Sequence, residues 1–183
     1  MQAINVGIES KKAVLARDAS IALFLSVLIG LCSKIAIPLF FTPVPLTIQP
    51  ALILLFSALI GSKRGFSMVA CLLAQVAMGL PVLSSGAIGL ASFVGPTGGY
   101  LFGYLAAGYV TGFLMETAPE KTARRAFGAM AVGNLIMYVL GAGFLSLTIG
   151  LKSALLLGVA PFVLGDLCKL ILSVKALQWL GRV

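Results

Sequence analysis

The chain has 183 residues, of which 60% are hydrophobic and only 10% charged, with a mean hydropathy of +1.12. This balance is far from that of a soluble domain and specifies an all-α integral membrane protein. The absence of histidine removes the commonest metal ligand, and Cys32, Cys71 and Cys168 each sit in an apolar run as small packing residues rather than as a disulfide or metal set.

The polar stretch from Met1 to Lys12 lacks a cleavable signal pattern, because the apolar run that follows, Ala19 to Ile37, is too long for a signal peptide. Six membrane spans of one domain, 1–183, are expected at about 17–37, 48–61, 65–80, 97–115, 126–148 and 161–181. In the first of these, Ala22, Ser26 and Gly30 recur every four residues, so this face either meets a partner protein or packs inside the bundle. Between the first two spans, Pro38 to Gln49 is apolar and proline-rich and reads as a stiff extended segment lying over the bundle as a lid.

Between the third and fourth spans, Gly79 to Gly99 is uncharged and contains six glycines, a cluster that lets backbone approach a ligand closely. Gly95-Pro-Thr-Gly-Gly-Tyr100 opens the fourth span, where backbone N–H groups and Thr97 as N-cap would suit an anion. It is not a phosphate-binding loop with the G-x-x-x-x-G-K-[ST] spacing, so ATP hydrolysis has to come from another polypeptide. Gln75 and Asn134 are polar residues inside spans three and five, suited to hydrogen bonds with a substrate or between helices.

Pro161 suits the first turn of the last span, leaving Lys152 to Ala160 as an external surface segment. Within that span Asp166 and Lys169 place opposite charges three residues apart on one helical face. At membrane depth each costs roughly 2.5–3.5 kcal/mol, so the pair serves either a ligand in a cavity or the joining of helices. Asp166 is the only acidic residue deep in an apolar run, with no second carboxylate or histidine near it in sequence, which argues against an enzyme.

Ten of the thirteen basic residues (Lys11, Lys12, Arg17, Lys63, Arg64, Lys121, Arg124, Arg125, Lys175 and Arg182) fall at one end of the expected bundle. The positive-inside rule then puts both termini in the cytoplasm, and the net charge of +8 reflects topology. The basic residues are dispersed rather than gathered in an aromatic-interleaved stripe, so no nucleic-acid partner is implied.

Four segments in order, Val44-Pro-Leu-Thr-Ile-Gln49, Gly79-Leu-Pro-Val82, Gly95-Pro-Thr-Gly-Gly-Tyr-Leu101 and Pro161-Phe-Val-Leu-Gly-Asp-Leu-Cys-Lys169, resemble the successive signatures of the BioY family, the biotin-specific S components of energy-coupling factor (ECF) transporters. The resemblance implies a six-helix biotin-binding protein of the bacterial plasma membrane with an outward-facing pocket, working with a transmembrane T protein and two ATPase subunits. Asp166 would accept from the ureido ring of biotin and Lys169 would donate to it. Ser84, Ser85 and backbone N–H groups near Gly86 and Gly95 are the candidates for the ligand's carboxylate. This sequence departs from the family pattern at Leu164, where a second proline is frequent, and in lacking an arginine or asparagine in the third loop. The competing class is a stand-alone facilitator or secondary transporter for a small carboxylated metabolite, which would favour paired internal repeats that this chain does not show.

Overall fold

A computed structural model describes residues 2–37, 39–84 and 86–183, with side chains from Lys11 onward. In chain order the elements are α1 (Gln2–Cys32), β1 (Ala36–Ile37), β2 (Leu46–Thr47), α2 (Gln49–Ile60), α3 (Ser62–Ala77), α4 (Ala91–Val94), α5 (Gly98–Glu116), α6 (Ala123–Ile149), α7 (Leu151–Gly158) and α8 (Ala160–Trp179). Among the described residues, three helical stretches, Lys11–Cys32, Ala123–Ile149 and Leu151–Trp179, are long and apolar enough to cross a membrane, whereas Gln49–Ile60 is apolar but shorter.

The outer surface is apolar. Phe24, Leu147, Leu164 and Trp179 all point away from the protein interior, an arrangement suited to lipid rather than water. Large apolar side chains such as Ile53, Leu54, Met68 and Met130 fill the core, and small residues let particular helices approach closely. A Cβ on Gly99 would meet Leu140 and Phe144, and one on Gly103 would lie 3.0 Å from the Met137 Cα, so these two glycines set the α5–α6 contact. Gly133 on α6 similarly abuts Thr111 and Leu54.

Helix ends follow local chemistry. The first helix stops at Cys32, earlier than expected, because the β-branched Ile35 and Ile37 follow and Ile37 precedes a proline, which disfavours helical geometry there. Just after α3, Gly79 adopts a φ of 85°, and Leu80 N–H bonds to Gln75 O at 3.0 Å while Gly79 N–H bonds to Val76 O at 2.9 Å. This is a Schellman stop, with Pro81 just beyond it.

One expectation needs correction, and two others gain detail. The segment from 39 to 47 does not run extended across the bundle; β2 at its end pairs antiparallel with β1 before it, Ala36 with Thr47 and Ile37 with Leu46, and Thr42 Oγ1 donates to Leu157 O at 2.6 Å. Pro38 lies outside the described residues. Over the stretch 152–160, expected as an external surface segment, residues 151–158 form a helix, α7, on which Leu151, Leu155 and Leu156 are exposed; Gly150, with a φ of 80°, turns the chain into it. Of the two readings open for the small-residue face of α1, packing inside the bundle is the one observed, since Ala22 and Ser26 are fully buried and Gly30 would clash with Val82 if given a Cβ.

The basic residues gather near one end. Arg64 in the first turn of α3 pairs with Asp18 of α1 at 2.8 Å, and Lys121 and Arg182 border a shared depression with Ala58 and Leu59 at the end of α2. The beginnings of α2, α5 and α8 meet at the opposite end, where a cavity opens.

Candidate ligand-binding site

The cavity encloses about 640 Å³ of empty space, its open mouth included, which suits a small organic ligand. Its walls come from the hairpin, from the residues after α3, and from α2, α5, α6 and α8. Helical spacing puts Phe162, Asp166 and Lys169 on one face of α8, and Asn134, Met137 and Tyr138 on one face of α6. Tyr100 and Tyr104 do the same on α5.

Asp166 is buried, at 7% exposure, and both of its oxygens are engaged. Lys169 Nζ donates to Oδ1 at 2.8 Å, and the Tyr138 hydroxyl donates to Oδ2 at 2.6 Å. The lysine also donates to the Thr47 carbonyl at 2.7 Å. One opposite-charge pair therefore ties α8 to α6 and to the hairpin, while each oxygen of the carboxylate keeps a lone pair and the ammonium keeps a third proton. A ligand that carries N–H beside C=O matches such a pair.

The rest of the wall is shaped by packing. Tyr100 donates from its hydroxyl to Gly158 O at 2.6 Å, and its ring lies against Gly141, where any Cβ would overlap it. Gln49 spans the floor, its Nε2 donating to Val82 O at 3.2 Å, and its backbone N–H bonds to Thr47 Oγ1 at the same distance. Val44, Leu83, Leu101 and Met137 add apolar surface.

Of the residues singled out from sequence, Asp166, Lys169, Asn134, Ser84 and Thr97 line this one cavity. Ser85 lies outside the described residues. Gln75 is not part of the wall: it is buried between α3 and α1 and donates to Ser26 Oγ at 2.6 Å, so it joins helices. Gly86 and Gly95 are likewise outside the wall. The glycine cluster is accounted for by turns and packing: Gly79, Gly86 and Gly89 have positive φ, and Gly98 and Gly99 press against Phe93 and Phe144.

Thr97 is positioned as the N-cap of α5 but its hydroxyl makes no capping bond. The N–H groups of Gly98 and Tyr100 bond to Gly95 O and Thr97 O, so this helix start offers fewer free donors to an anion than its sequence suggests. Sequence reasoning missed Tyr138, Thr47, Gln49 and Tyr104 as wall residues. For Thr47 and Gln49 a signal existed, because both belong to the Val44–Gln49 segment.

The BioY family model matches residues 7–182. A protein called biotin transporter BioY from Rhodobacter capsulatus is 41% identical over 165 residues, spanning 84% of this chain and 86% of its own length. A protein of the same name from Thermotoga maritima is 38% identical over 140 residues, spanning 76% and 80%. Among solved structures, the crystal structure at 2.1 Å of the S-component for biotin from an ECF-type ABC transporter matches with a TM-score of 0.82 at 29% identity, covering 93% of this chain and 94% of that one. These relatives are transport proteins rather than enzymes, and with the long apolar helices they identify a membrane protein. From the extent of the family match and the shared fold, the chain belongs to the BioY family.

Proposed function

We propose that this chain is the biotin-binding S component of an ECF uptake system, and that it works with a transmembrane T protein and two ATPase subunits. The observation that carries this reading is the buried Asp166–Lys169 pair exposed to a cavity of ligand size, in a chain whose relatives are named for biotin. The ureido group of biotin presents N–H donors beside a carbonyl acceptor; Asp166 receives the first and Lys169 supplies the second. Ser84 and Thr97, which line the same cavity, are the hydroxyls offered to the valeryl carboxylate. The hairpin residues Val44, Pro45 and Thr47 cover the ligand.

The proposed topology has six crossings, made by α1, α2, α3, α5, α6 and the α7–α8 unit, with both termini in the cytoplasm. Gathering of basic residues at the end opposite the cavity supports it. The short α2, about 18 Å at 1.5 Å per residue, does not span a bilayer core of about 30 Å alone, and the hairpin that precedes it completes the crossing inside protein. Because Ala22, Ser26 and Gly30 are used internally, the T protein is assigned instead to the exposed side of α1, where Ala16, Ala19 and Ser20 offer small side chains.

Reconstitution in sealed vesicles tests the division of labour. Concentrative biotin uptake is expected only with the T and ATPase subunits and ATP present. Robust accumulation by this chain alone, driven by an ion gradient, contradicts the proposal and favours a secondary transporter.

A further inference from the structure

We infer that Tyr138 is a positioning residue that orients Asp166 and thereby makes the site select ligands with a free ureido N–H. This rests on the biotin-binding reading above and deepens it.

The carboxylate of Asp166 is held from two sides by donors on different elements. Lys169 comes from the same helix at 2.8 Å, and the Tyr138 hydroxyl comes from α6 at 2.6 Å. Asn134, one turn earlier on the same face of α6, also lines the cavity. A phenol has one proton; once that proton is given to Asp166, the phenol oxygen is left to accept, so the hydrogen bonds run in one direction from α6 to α8. Tyr138 therefore holds the carboxylate plane at a fixed angle between two helices.

The consequence is chemical. With one lone pair on each oxygen already engaged, the remaining ones can only accept, so a ligand must bring a donor to this position, which in a ureido ring is N–H. A cyclic urea satisfies it. The same ring with its nitrogens methylated has no donor to offer and leaves the remaining lone pairs of the carboxylate desolvated without a partner, a mismatch that sites built around hydrogen bonds reject strongly. Without the Tyr138 hydroxyl the carboxylate is held by Lys169 alone and can turn, so affinity and discrimination should fall together.

Equilibrium binding to the purified full-length protein tests this, with biotin and its ureido-N-methylated form as probes. Tyr138→Phe should weaken biotin binding by about tenfold, the size expected for loss of one hydrogen bond to a charged group, and should narrow the ratio between the two ligands. The loss should be non-additive: Tyr138→Phe in an Asp166→Asn background should cost little more. A merely structural tyrosine would weaken both ligands equally and leave the ratio unchanged, which overturns the inference, as does wild-type affinity in Tyr138→Phe. Should Tyr138→Phe fail to remain monodisperse, Tyr138→Leu, which also removes the hydroxyl that bonds to Asp166, takes its place and should narrow the same ratio. Absence of biotin binding by the wild-type protein defeats the underlying reading and the inference with it, whereas wild-type binding with an unchanged ratio defeats the inference alone.

Discussion

Gln75 Nε2 donates to Ser26 Oγ at 2.6 Å, with both residues buried between α3 and α1. This contact fixes the role of the small-residue face of α1. Ser26→Trp or Gly30→Leu should therefore disrupt the bundle itself and reduce ligand binding together with yield of folded protein. Ser26→Ala leaves the Gln75 amide without its partner and should cost about 1 kcal/mol, in line with interhelical hydrogen bonds in membranes. Thermal unfolding in detergent measures both; bulky variants that unfold at the wild-type temperature would show that the face is free.

Gly141 and Gly158 together seat the Tyr100 ring beside the cavity. Gly141→Ala places a methyl group into that ring, which the tight α5–α6 contact at Gly99 and Gly103 does not let move away. Overpacking of this kind costs roughly 1–3 kcal/mol, so a lowered unfolding temperature and weaker ligand binding are expected. Gly143→Ala, on the same helix with open space around it, is the control and should behave as wild type.

The helical layout was legible because apolar runs are long and bounded by prolines, glycines and charges. Asp166 and Lys169 stood out for the same reason, as charges in an apolar background. Tyr138 did not, since a tyrosine in an apolar helix looks the same whether it faces lipid, core or cavity. Thr47 contributes its backbone carbonyl to Lys169, and a carbonyl leaves no mark in the sequence. Ala22, Ser26 and Gly30 announce a close helix contact but not the identity of the neighbour; only the position of Gln75 and Val82 resolves it. The glycines of the 79–99 segment misled because turn geometry, packing and ligand approach all call for the same residue.

Side-specific labelling checks the proposed orientation. Ser62 is a poor probe position, being buried and bonded to Glu116 at 2.5 Å, so the exposed Lys63 and Lys121 are the choices for one end and the exposed Lys152 for the other. With Cys32, Cys71 and Cys168 replaced, cysteines at Lys63 and Lys121 should react with a membrane-impermeant reagent only from the cytoplasmic side, and one at Lys152 only from outside. Reaction of Lys63 and Lys152 positions from the same side refutes the six-crossing topology.

The central claim is that biotin is held by the Asp166–Lys169 pair. Equilibrium binding of radiolabelled biotin to the purified protein, compared with Asp166→Asn and Lys169→Ala, tests it most directly. Each substitution leaves a buried partner unpaired, and a loss of about 3 kcal/mol, roughly a hundredfold in affinity, is expected while the variants stay monodisperse. Folded variants that bind biotin as tightly as the wild-type protein would contradict the account.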